Sequence, residues 1–178
     1  MLSSLPSPNE ILRSSRAMAV LDAMFSKDWS LRYFSVDNDW APGEVMVSMR
    51  NGQGDHYFCL SSNNLFILKG YDRYSDVAEA LNRQKGPVDV IKNNIPSRLL
   101  SFVNEPAFII EETSFLIWID ILQNKWERLD FPMLLKTNSN EKINLLDPII
   151  GGALHYHEWA EEYYERKIDR DALSFRRD

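Results

Sequence analysis

Cysteine is almost absent from this chain of 178 residues, with Cys59 its sole representative. That excludes an intramolecular disulfide and every zinc cluster built from cysteine alone. Cys59 sits in the apolar run Tyr57-Phe58-Cys59-Leu60, which predicts an inert core thiol. Long apolar stretches are missing as well. No window holds eighteen consecutive apolar residues, so no membrane span is expected. Met1-Leu2-Ser3-Ser4-Leu5-Pro6 lacks the charged and apolar regions of a signal peptide, and a cytoplasmic location follows as the expectation. Positive charge is in deficit, with 20 Lys and Arg against 26 Asp and Glu for a formal net charge of −6. Nucleic-acid binding draws on clustered cations, so a polyanion partner is disfavoured. A basic protein partner suits the charge better, although a modest negative charge also serves solubility.

Aromatic residues are plentiful, with five Trp, seven Tyr and nine Phe. Rings of this size either fill a core or anchor an interface. The length and a hydrophobic content of 44% suit one globular domain over 1–178. A first helix opens at Ser7-Pro8-Asn9-Glu10, where Ser7 and Glu10 form a capping box and Pro8 fits the first turn. Ile11, Met18, Leu21 and Phe25 then recur at helical spacing. Alternating segments at 29–36, 44–49, 55–61 and 65–68 read as strands with short connections, which implies antiparallel pairing. Segments 75–81 and 96–103 read as short helices, 114–121 as a buried strand, and 154–167 as a closing helix. The fold class is therefore α+β: an antiparallel meander of about five to six strands packed against an N-terminal helix and C-terminal helices.

Few residues offer chemistry. Asn51-Gly52-Gln53-Gly54 contains G-x-G, but strand-like residues follow where a phosphate loop needs a helix. Asn-Gly instead favours a tight hairpin turn. Asp55 and His56 are neighbours on a strand and point to opposite faces, so they do not pair with each other. With Asp72 they make the best candidate for a hydrolytic or ligand-binding site, against the simpler reading of His56 as a structural residue. His155-Tyr156-His157-Glu158 resembles a metal box, yet helical geometry pairs only His157 with Glu161, and two ligands complete no site. No metal or cofactor is expected. Adjacent Glu111 and Glu112 lack the facing geometry of an acid/base pair. Glu158, Glu161, Glu162, Glu165 and Asp169 recur at three- and four-residue steps, a stripe against which a basic partner could dock. A solvated face neighboured by Arg166, Lys167 and Arg170 explains the same pattern.

Several pieces together resemble a known group. They are Val20-Leu21-Asp22-Ala23-Met24, Gly52-Gln53-Gly54-Asp55-His56-Tyr57-Phe58, Lys69-Gly70-Tyr71-Asp72, Glu105-Pro106-Ala107-Phe108, Trp118 and Glu158-Trp159-Ala160-Glu161-Glu162-Tyr163-Tyr164-Glu165. The chain is similar, from about Leu21 to Lys167, to a widespread family of small bacterial proteins associated with toxin–immunity loci. The resemblance brings no catalytic motif. It implies a bacterial, cytoplasmic immunity protein that covers a cognate toxin, with a basic nuclease as the complementary target. A small hydrolase and a non-enzymatic adaptor module are the other expectations.

Overall fold

The structure, a computed structural model, describes residues 2, 5–83, 88–129, 131 and 143–169, the side chains of 81–83 and 153 excepted. Helix α1 spans Pro8–Phe25 and starts as its capping box requires, with the Ser7 side chain and the Glu10 side chain each bonded to the other's backbone amide. Its apolar stripe of Ile11, Leu12, Met18 and Leu21 is buried. The stripe also carries Ser15 and Asp22, both fully enclosed.

Among the described residues six strands follow in a single antiparallel sheet whose spatial order is the order of the chain. They are β1 (Phe34–Ala41), β2 (Glu44–Arg50), β3 (His56–Ser62), β4 (Leu65–Tyr71), β5 (Phe115–Asp120) and β6 (Lys125–Arg128). The α+β meander expected from the alternation is therefore present. Four details differ from the sequence reading. The segment 29–36 is not all strand, because Trp29–Leu31 forms a 3-10 turn whose Ser30 amide is capped by Asp28 at 2.9 Å. The chain extends only at Phe34. The β2–β3 connection is a loop over 51–55, not a tight Asn-Gly turn. Asn51 Oδ1 accepts the amides of Gln53 and Asp55 at 2.9 and 3.0 Å, while Gly52 and Gly54 take positive φ values of 69° and 108°. The 96–103 helix divides into a 3-10 turn, Ser97–Leu99, and a single α-turn. The closing helix begins earlier than Leu154 and stops before Lys167, at Tyr163.

The sheet carries a core on each face, because alternation sends successive side chains of the buried strands to opposite sides. On one face Val47, Tyr57, Leu68 and Ile117 pack beneath α1 and helix α5 (Asp147–Tyr163). α5 is interrupted at Gly152, whose φ of 67° is not helical. On the other face Phe58, Ile67, Leu116 and Trp118 meet the segment that joins β4 to β5. That segment holds α2 (Asp76–Arg83), α3 (Val88–Asn94), α4 (Leu100–Val103) and a 3-10 turn, Pro106–Phe108. Its Ile91, Leu99, Phe102 and Phe108 are each at most 1% exposed. Burial of each such side chain stabilises the fold by about 2 kcal/mol before entropy. Helices on both faces thus explain why β4 and β5 pair directly although 72–114 lies between them. Cys59 is in the first core, and burial pushes its thiol far above the usual range. Among the described residues no helix is long and apolar enough to cross a membrane.

Candidate functional site: a clamped loop at one end of the sheet

Strand β4 reads Leu65-Phe66-Ile67-Leu68-Lys69-Gly70-Tyr71, apolar except for one lysine. Lys69 lies on the second face of the sheet, cross-strand from Phe58, and is 0% exposed. A buried ammonium must satisfy all three donors. Lys69 Nζ donates to the carbonyls of Phe108 at 2.7 Å and Ile109 at 2.8 Å. His56 Nε2 lies 3.1 Å away. The ring of Phe58 sits beneath the ammonium at 5.4 Å. Burial lowers the Lys69 pKa to about 7, opposed by the negative charges of Glu112 and Glu111.

The histidine tautomer follows from its partners. His56 Nδ1 faces the Gly54 carbonyl at 3.2 Å. A carbonyl only accepts, so the proton is on Nδ1 and the bare Nε2 accepts from Lys69. Desolvation and the adjacent Lys69 charge lower the His56 pKa to about 4. The ring is 6% exposed, held between Phe58 at 5.4 Å and Tyr71 at 6.0 Å.

Lys69 therefore holds the loop over 105–113 down on the sheet. Glu105 opens the loop by accepting the Ala107 amide at 3.1 Å. Phe108 plugs it between Trp40, Phe58 and Phe102, with ring centroids 5.6, 5.5 and 4.4 Å away. Ile109 then takes φ 47° and ψ 63°. A β-branched residue in the left-handed region stores about 1–2 kcal/mol and persists only where its surroundings impose it. Lys69 Nζ and the Glu112 amide, both donating to its carbonyl at 2.8 and 3.0 Å, supply part of that constraint. The loop's far end is tied by Ser114, whose amide donates to the Gly70 carbonyl at 2.8 Å. Glu111 and Glu112 are exposed on the rim.

The sequence-derived residues distribute as follows. His56 belongs to this cluster. Asp55 is buried beside it, but its carboxylate accepts the Arg73 amide at 2.9 Å and the Asn51 side chain at 2.6 Å. Asp72 caps its own turn by accepting the Tyr74 amide at 3.1 Å. The carboxylate that faces His56 is Glu112, with Oε2 3.7 Å from Nδ1. On α5, Glu158 and Glu162 are exposed, whereas Glu161 accepts the Ile168 amide at 2.9 Å and Lys167 Nζ at 3.1 Å. Glu165 adopts φ 50° beyond the helix end, so the expected helical stripe stops at Glu162 and does not continue through Glu165 and Asp169. His157 Nε2 donates to the Ile168 carbonyl at 2.7 Å and lies 3.8 Å from Glu161. Among the described residues no group of three or more His, Cys, Asp or Glu is placed to hold a metal ion. A cleft of about 440 Å³ lies elsewhere, between Leu2, Leu5 and the β5–β6 hairpin at Trp126.

Lys69 escaped the sequence reading, yet a lone lysine inside an apolar strand was its signal. The chemistry the cluster supports is presentation of a fixed surface. Both His56 nitrogens are engaged and the Lys69 amine is sealed, so neither reaches a substrate without rearrangement. Segments 52–58, 69–72 and 105–108 meet here. Comparison of the chain with protein-family models, with curated proteins and with solved structures returned no match.

Proposed function

We propose that this chain is a bacterial cytoplasmic immunity protein that binds a cognate toxin and covers its active site, using the clamped 105–113 loop as its docking element. The observation that carries the reading is the wholly buried Lys69 amino group on the Phe108 and Ile109 carbonyls. A binding loop ordered in advance loses little entropy on association, which raises affinity without added contact area. The loop presents Glu111 and Glu112 around Ile109, a surface complementary to the basic cleft of a nuclease-type toxin.

The test is co-expression with the product of the adjacent gene. Rescue of growth and co-purification of the pair are expected, with loss of both in a Glu111→Lys/Glu112→Lys chain. Loss in Glu158→Lys/Glu162→Lys instead would move the contact to α5. Absence of any complex would leave the adaptor and hydrolase readings, the latter requiring His56→Ala to abolish an activity while the fold persists.

A further inference from the structure

The clamp has a proton-dependent weak point. Lys69 uses its three donors on two loop carbonyls and on the unprotonated Nε2 of His56. A proton on that nitrogen would set two donors and two positive charges 3.1 Å apart inside the core. One of them must leave. If Lys69 leaves, it comes off the carbonyls of Phe108 and Ile109, and the left-handed Ile109 loses one of the two donors on its carbonyl.

We propose that His56 is a pH-sensitive latch on the 105–113 loop: protonation of its Nε2 displaces Lys69 from the Phe108 and Ile109 carbonyls and frees the acidic rim. As a regulator of toxin binding the latch rests on the function proposed above; as a motion of the free chain it does not.

The groups around the imidazole set its direction. From β4 come Lys69 and the Tyr71 ring, and Arg50 on β2 and Asp55 in the 51–55 loop contribute opposite charges. Glu112 stands on the solvent side, 3.7 Å from Nδ1, with Glu111 beside it in the chain. Lys69 opposes the imidazolium from inside and Arg50 from its exposed place at the end of β2, while Glu112 offers a counter-ion at the rim. Protonation therefore works against the Lys69 contact, and Glu112 stands where it can pair with the charged ring.

Linkage gives the size. In the closed loop the His56 pKa is lowered to about 4, and an exposed histidine titrates near ~6.5. The stabilisation of the closed state is complete above the latter value and is lost as pH falls through the former. Between them the open-to-closed ratio rises as pH falls, by up to about tenfold per pH unit.

The experiment is amide exchange and imidazole NMR of the full chain without partner, from pH 7.5 to 4.0. The Ile109 and Glu112 amides, bonded to the Pro106 and Ile109 carbonyls, should lose protection below about pH 6.5 after correction for intrinsic rates. The Ser26 amide, bonded to the Asp22 carbonyl, should not. In His56→Gln, which keeps an acceptor toward Lys69 and cannot charge, the loop should stay protected throughout. Equal acid sensitivity in His56→Gln overturns the latch, as does global unfolding before the loop opens. Should that variant not fold, the wild-type imidazole decides, since the Nε2-protonated tautomer at pH 7.5 is incompatible with the latch. Acid opening without any toxin complex would sink the proposed function alone; a complex with no opening would sink the latch alone.

Discussion

Tyr156 donates its hydroxyl to Asp22 Oδ1 at 2.6 Å, joining α5 to α1 across 134 residues of chain. Both residues are at most 1% exposed. The other carboxylate oxygen accepts the amides of Tyr33 and Phe34 at 2.8 Å each, where the chain turns from the 3-10 segment into β1. One buried carboxylate thus sets the junction of two helices and an edge strand.

Removing Asp22 should accordingly be severe. Asp22→Ala strands two amides and a hydroxyl in the core, and a loss of roughly 3–5 kcal/mol is expected by denaturant titration. Burial raises the Asp22 pKa, against the opposing hydrogen bonds from Tyr156 and Phe34. The associated stability is fully present below the unfolded carboxyl value and is lost as pH rises through the folded one. The advantage of wild type over Asp22→Asn should therefore shrink as pH rises.

Lys69 titrates in another window. Its folded pKa of about 7 lies below the ordinary lysine value of 10.5, so its contribution is present above 10.5 and lost as pH falls through about 7. Lys69→Met removes that dependence while leaving two carbonyls unpaired, a loss of about 2 kcal/mol at alkaline pH. Urea denaturation of both proteins between pH 7 and 10 checks this, with the gap expected to widen toward alkali.

Gly70 and Gly52 should respond differently to alanine. A Cβ on Gly70 would lie 2.6 Å from one Phe115 ring atom and 2.9 Å from the His56 carbonyl, and closer still to a second ring atom. Overpacking of that kind costs about 1–3 kcal/mol or more, since both neighbours are held by the sheet. At Gly52 a Cβ meets nothing, and only its φ of 69° opposes alanine. About 1 kcal/mol is expected there. Thermal unfolding of the two variants side by side would expose any reversal of the order.

Ile109 offers a substitution that strengthens the fold. It is 37% exposed and left-handed, a conformation that asparagine tolerates far better. Ile109→Asn should gain about 1 kcal/mol, read as a higher denaturation midpoint. Under the proposed function the same variant should bind the toxin more weakly, because the apolar contact at the loop tip is gone.

Cys59 should stay inert. Its side chain is 0% exposed, and reaction requires both access and thiolate. A colourimetric thiol reagent should therefore label the chain only on unfolding, at the rate of the unfolding itself. Fast labelling of folded protein would contradict the core placement.

Local rules made much of this molecule legible. Ser7, Pro8 and Glu10 determine where α1 begins because capping is settled within a few residues. Alternation in 44–49 and the apolar, aromatic and β-branched content of 55–61 and 114–121 mark strands, and the strand period sorts their side chains between two faces. Those features follow from nearest neighbours in sequence. The partnerships were not accessible in that way. Asp22 with Tyr156, and Lys69 with His56, Phe108 and Ile109, depend on segments brought together from distant parts of the chain. A charge inside an apolar stripe signals that some partner exists, but only the tertiary packing names it. The second covered face of the sheet belongs to the same class, because the 72–114 connection has to fold across the strands before its apolar side chains find Phe58 and Trp118. The amino-acid sequence by itself determined the elements and their polarity; the tertiary structure decided which buried charges meet, since meeting requires closure of long loops that no local preference encodes.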